Sequence, residues 1–259
     1  ELDVDRMDYL VRDAHHTGVP YGTIDTGRLV RELRLFDGQL VLDEGNVQSA
    51  ESLLLARALM NPVVYSHHVS RISKSMLRRA AERLLESGAV DAAELRRMDD
   101  HELVVALREC DAAATAARRL GHRDLLKRAV WAEMDDVPES VIDADHGTIR
   151  ERERAIAETA GADVGEVVLD VPDRPSMTES SSRVLVNGEM RRLDRQSPLV
   201  SALRTAQRHQ WRLGVYAPAD RTEAVGMAAA DVLDIDADGS LVSDVRPGVH
   251  ATLDEFGGG

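Results

Sequence analysis

The strongest constraint on the fold is a change of hydrophobic period part-way along the chain. Up to about residue 135, apolar side chains recur three and four positions apart, in segments of helix length cut by Gly and Pro. This predicts helices over 2–16 (ended by Gly18 and Pro20), 26–33, 47–60, 63–86 (behind Pro62, closed by Gly88), 91–98, 100–110 and 112–120. A hairpin is expected from 33–36 and 40–42 across Asp37-Gly38, and 125–133 fits helix or strand. From about residue 140 the pattern alternates. A charged helix over 145–160 leads to strands over 166–171 and 183–186, the second turning at Asn187-Gly188 into 189–193. A helix over 197–209 follows, capped by Ser197 with Pro198 behind it, then a strand over 211–216 and a helix over 221–233. The expected fold is mainly α over 1–135, then a small α+β subdomain of ferredoxin-like kind over 140–233. An acidic flexible tail is expected over 234–259.

With aromatics at 3% of the residues, the core must be built from Leu, Val, Ala, Met and Ile. No apolar run reaches the roughly 20 residues of a membrane-spanning helix. The lone cysteine, Cys110, cannot form an internal disulfide and reads as a small buried hydrophobe in a reducing, cytoplasmic setting. The sequence opens on Glu1 without a signal-like stretch and reads as a piece of a longer protein. Net charge is −14, and Lys74 and Lys127 are the only lysines. Such an acidic surface disfavours nucleic-acid backbone and suits solubility in concentrated salt, as in a halophile-like protein.

The opening helix separates two faces. Met7, Leu10, Val11 and Ala14 collect on one side, while Asp5, Arg6, Asp8, Tyr9, Arg12, Asp13 and His16 collect on the other. Pattern alone is satisfied by a solvated charged face. The same residue types also suit a phosphate and metal site, because carboxylates hold divalent ions, arginines neutralise phosphate and tyrosine packs on sugar.

The run from Leu2 to Asp13, with His15-His16 and Gly18 behind it, resembles the signature of HD-superfamily metal-dependent phosphohydrolases of the dNTP triphosphohydrolase type, the SAM- and HD-domain kind. The resemblance implies a metal ligand at Asp5, a phosphate-contacting cation at Arg6, and a tyrosine excluding a 2′-hydroxyl at Tyr9. It also implies an acceptor for the 3′-hydroxyl at Asp13. Asp3, Asp8 and Arg12 fit the signature in a supporting salt-bridge role.

Residues 51–68 resemble the family's second substrate-facing segment. They imply a phosphate contact at Arg57 and a sugar or base contact at Tyr65, on one face with Asn61 and His68 if the helix bends at Pro62. At Asn61 and His68 some eukaryotic relatives carry histidine and lysine. His67-His68 is not expected to share an ion, since neighbours on a helix point about 100° apart.

The resemblance implies that the family's other metal ligands, a histidine and a His-Asp dipeptide, lie upstream, and no His-Asp dipeptide occurs in this sequence. A divalent metal (Mn, Mg, Fe or Zn) would therefore be completed from outside this chain. The isolated piece is expected to be inactive, and the full-length parent to convert a dNTP to deoxynucleoside and triphosphate. The competing expectation is a non-catalytic nucleotide-binding, regulatory HD-like protein. The α+β part carries no phosphate loop or nucleophile motif, and reads as an oligomerisation module for a homo-oligomer.

Overall fold

A computed structural model describes residues 4–176 and 182–236. The elements run α1 (Val4–Thr17), α2 (Thr26–Arg31), β1 (Leu33–Phe36), β2 (Gln39–Asp43), α3 (Val47–Met60), a π-turn (Asn61–Tyr65) and α4 (His68–Glu86). There follow α5 (Ala92–Leu95), α6 (Asp100–Glu109), α7 (Asp111–Gly121), β3 (Lys127–Glu133), α8 (Glu139–Ile142), α9 (His146–Ala160) and β4 (Val168–Asp170). Last come β5 (Arg183–Val186), β6 (Glu189–Arg192), α10 (Leu193–Gln196), α11 (Pro198–Gln210), β7 (Arg212–Ala217) and α12 (Thr222–Leu233). The chain is mainly α with a small α+β part, as its periodicity predicts. The expected tail beyond Asp236 lies outside the described residues.

The chain divides into two compact units, and their boundaries differ from the expected ones. One unit comprises Glu1–Arg123 with Pro172–Trp211, the other Asp124–Val171 with Arg212–Gly259. The hairpin around Asn187-Gly188 and the helix behind it therefore belong to the helical unit, not to the α+β unit.

In the helical unit, β1-β2-β5-β6 form a four-stranded sheet in which β2 and β5 run parallel and the two hairpins antiparallel. Both hairpins turn through paired positive φ, at Asp37 and Gly38 and at Asn187 and Gly188, the conformation that matches the twist of the flanking strands. The inner face of the sheet supplies Leu42, Val184 and Val186 to a core shared with Met7, Leu10 and Ala14 of α1, Leu53, Leu54 and Met60 of α3, and Val200 and Leu203 of α11. Gly22 is what lets the chain fold back on α1, since a Cβ there would stand 2.2 Å from the Ala14 Cβ. A second cluster joins Ala80 and Leu84 of α4 to Leu107, Cys110, Ala113 and Ala117, so Cys110 is the buried small hydrophobe expected.

In the other unit, the segment that fits helix or strand becomes β3. Among the described residues its sheet has order β3-β7-β4, each neighbouring pair antiparallel. α9 is the crossover between β3 and β4, and α12 packs on α9, β3 and β7. β4 lies at the sheet edge, and the N–H of Leu169 donates 2.8 Å to Oε1 of fully buried Glu153 on α9. Oε2 of Glu153 accepts from Arg150 Nη1 at 3.0 Å. Tyr216 Oη donates to Asp170 Oδ2 at 2.8 Å, both side chains buried.

Candidate functional site

α1 buries Met7, Leu10 and Ala14 and leaves its polar flank at the boundary of the core. Spacing of three and four along α1 sets Tyr9 and Asp13 one above the other at the edge of that boundary, both half-buried. α3 arrives against α1 and carries Arg57, half-buried, with its Nη1 sealed from solvent.

The segment after α3 departs from the helix expected to start at residue 63. Asn61–Tyr65 forms a π-turn in which Ser66 N–H donates 2.6 Å to the Asn61 carbonyl, and α4 begins only at His68. Pro62 supplies no N–H to the α-helical ladder, and the wider turn absorbs that loss. Asn61 is occupied within this turn, its Oδ1 accepting from Ser66 Oγ at 3.1 Å.

The π-turn delivers Tyr65 to α1. Its Oη donates 2.9 Å to Asp13 Oδ2, and its ring stands edge-on to Tyr9 with centroids 5.8 Å apart at 87°. Burial pushes the Tyr65 phenol above its ordinary range. The hydrogen bond to Asp13, the Asp13 charge and Tyr9 add to this, and the Arg57 guanidinium works against it. Tyr65 therefore keeps its proton across the neutral range and acts as a fixed donor to the Asp13 carboxylate.

Asp5 is exposed at the start of α1 and Arg6 is half-buried. Asp8 and Arg12 pair with each other at 2.5 Å on the exposed side, a contact worth at most about 1 kcal/mol. Asp3 lies outside the described residues. His15 and His16 are exposed with rings 5.3 Å apart. His67 precedes α4 with ψ 137°, so the expected 100° separation does not apply, and its ring lies 4.3 Å from that of His68.

Among the described residues no group of three His, Cys, Asp or Glu could hold a metal ion. The carboxylate that the resemblance implies as a ligand, Asp5, does not make a site by itself. No described helix is long and apolar enough to cross a membrane. What sequence reasoning missed is Lys74, whose Nζ donates 3.3 Å to the Tyr65 carbonyl and caps the π-turn. Its nine-residue separation from Tyr65 gave no signal, because the break between turn and helix was not anticipated.

The family described as HD associated region matches residues 24–244, and the chain belongs to that family. This agrees with the HD-superfamily relationship implied by the opening helix. The chain is similar to an uncharacterised protein of Methanocaldococcus jannaschii, 31% identical over 85% of this chain and 50% of that protein. It is also similar to the uncharacterised protein YwfO of Bacillus subtilis, 39% identical over 32% of this chain and 19% of that one.

Two solved structures share the fold. A hypothetical protein of Aquifex aeolicus superposes with TM-score 0.61 at 23% identity, over 88% of this chain and 57% of that one. A phosphohydrolase of Bacteroides thetaiotaomicron superposes with TM-score 0.58 at 21% identity, over 83% and 61%. The chain thus spans at most about half the length of the curated relatives it matches.

Proposed function

We propose that this chain is the substrate-facing part of a metal-dependent nucleotide phosphohydrolase whose full-length form converts a dNTP to deoxynucleoside and triphosphate. The observation that carries this reading is the meeting of α1 with the π-turn, where Tyr65 donates to Asp13 and stands edge-on to Tyr9. The two segments that resemble the triphosphohydrolase signature thereby become one cluster. An aromatic pair beside a hydrogen-bonded carboxylate suits the sugar of a nucleotide, with Asp13 accepting from a 3′-hydroxyl and Tyr9 crowding a 2′-hydroxyl. Arg6 and Arg57 would neutralise phosphate oxygens. Membership of the HD-associated family and the fold shared with a phosphohydrolase support the reaction class.

The metal would be held by Asp5 together with histidine and aspartate ligands from outside this chain, and when bound it would supply an activated water. The isolated chain is accordingly proposed to be inactive, and the full-length protein to be a cytoplasmic homo-oligomer assembled through its α+β unit.

The test is to assay the full-length parent with each dNTP and NTP in Mn²⁺ or Mg²⁺. Asp5→Ala should abolish turnover. Tyr9→Ala should mainly erode the preference for deoxy over ribo substrates. Wild-type rates from Asp5→Ala would remove the metal assignment. A second reading, a regulatory protein that binds nucleotide without turnover, draws on the finding that no group of three His, Cys, Asp or Glu among the described residues could hold a metal. It predicts dNTP binding with no product in any metal.

A further inference from the structure

A stretch with no acidic residue runs from 52 to 81, between Glu51 and Glu82. The 46 acidic residues in 259 would put about five in a stretch of that length. The same stretch holds Arg57 and Tyr65 of the candidate site and then most of α4. On α4, Arg71, Lys74 and Arg78 recur at i, i+3 and i+7, and so fall on one strip of the helix. That strip is opposite the buried positions Ile72, Met76 and Ala80. Lys74 and Arg78 are exposed and Arg71 is half-buried.

A helix in a protein of net charge −14 needs no such strip for solubility, because the rest of the surface supplies charge in excess. Alternating signs at these positions would stabilise the helix more, through i, i+4 pairs. The strip also connects to the site, since the Lys74 ammonium lies 3.3 Å from the Tyr65 carbonyl while Tyr65 Oη is bonded to Asp13.

We propose that Arg71, Lys74 and Arg78 form a binding strip for a linear oligophosphate, the inorganic triphosphate released at the adjacent Tyr65–Asp13 cluster. The three cations are spread over about 10 Å of helix axis. That spacing suits an extended anion with a charged group every few ångström better than a single compact phosphate. Neither a base nor a sugar is needed for the contact, so the strip accepts the product of every nucleotide substrate alike. The choice of triphosphate rests on the reading given under Proposed function, whereas the affinity of the strip for oligophosphate does not depend on turnover.

The experiment is calorimetric titration of this chain, free of metal, with sodium tripolyphosphate. Wild type is compared with Lys74→Glu/Arg78→Glu, and with the charge-matched control Arg96→Glu/Arg97→Glu, which reverses two exposed arginines off α4. The strip variant should bind at least about tenfold more weakly, a loss of about 1.4 kcal/mol. The control should stay within about twofold of wild type, and wild-type binding should weaken as NaCl is raised. Far-ultraviolet circular dichroism on all three proteins separates lost binding from lost folding, and Arg78→Gln gives an intermediate loss if the strip variant fails to fold.

Equal affinities for strip and control variants would overturn the proposal. So would a single-stranded oligonucleotide that displaces triphosphate from the strip at equal concentration. A parent that binds triphosphate here but hydrolyses no nucleotide would sink the proposed activity and leave the strip intact. A parent that hydrolyses dNTP while this chain ignores triphosphate would do the reverse.

Discussion

Tyr65 shows how much a single residue depends on chain segments far from it. Its phenol is held protonated first by burial, then by the carboxylate of Asp13, 52 positions earlier. A folded-state pKa above the unfolded value of about 10 means that its contribution to stability is present below that pH and is lost as pH rises through the folded pKa. Asp13→Asn removes both the anion and the charge-assisted bond, so the phenol should move down toward its ordinary range. Titration of the phenolate absorbance band, with Tyr65→Phe identifying the band, checks this, and an unmoved titration would break the assignment of the cause. Gly22 is the opposite case, a residue defined by what it lacks. Gly22→Ala should cost about 1–3 kcal/mol in denaturant unfolding, because α1 has no room to retreat from the new methyl. Tyr9, Asp13, Arg57 and Tyr65 were legible in the sequence because helical spacing and the signature residues agree on them. Their mutual contacts were not, since nothing local encodes which hydroxyl meets which carboxylate across 52 residues. The exposure of Asp5 and the Asp8–Arg12 pair show that one polar face can divide between solvent and site.

Among the elements, those with strong local punctuation were predicted nearly to the residue. Both hairpins were marked by Asp-Gly and Asn-Gly turns, and α11 by Ser197, which accepts from Val200 N–H at 3.1 Å and also donates to Glu51. β3 and the π-turn are among the elements that were not legible. β3 buries the consecutive residues Ala129 and Val130 instead of alternating, so its apolar run fits either period until β7 is in place beside it. The π-turn needs an i to i−5 bond that no propensity rule anticipates, and Pro62 marked a helix start where the structure has a widened turn. The edge strand β4 makes a further point about elements. Its outward N–H at Leu169 has no strand beyond it among the described residues, and Glu153 of α9 takes the place of that strand. Glu153→Ala leaves a buried donor without its acceptor and strips Arg150 of its partner, and should cost about 1–3 kcal/mol. Glu153→Gln, whose amide oxygen still accepts, should cost less. Equal losses in thermal or chemical unfolding would show that packing, not the bond to Leu169, sets the role of this side chain.

For the whole molecule, the order of segments along the chain matters more than their composition. The switch of period near residue 140 suggested two successive domains, yet each unit is assembled from separated stretches. Periodicity reports the local element and is silent on which distant stretch it joins, so the hairpin β5–β6 looked like part of the α+β unit until its pairing with β2 was known. This arrangement has a consequence for folding. Among the described residues β3 and β4 do not touch each other in the sheet, since each pairs there only with β7, which begins after the 41 residues that follow β4. The helical unit likewise waits for β5, β6 and α11, whose Val184, Val186, Val200 and Leu203 complete the core under α1 and α3. A chain ending at Val171 therefore lacks the central strand of one sheet, half of the other, and one wall of the core beneath Tyr9 and Tyr65. Such a truncation should show no cooperative transition in a denaturant titration followed by circular dichroism, whereas the chain through Asp236 should show one. A sharp transition from the shorter chain would mean that residues 4–171 hold a self-sufficient core, and that the late segments dock onto a fold already made.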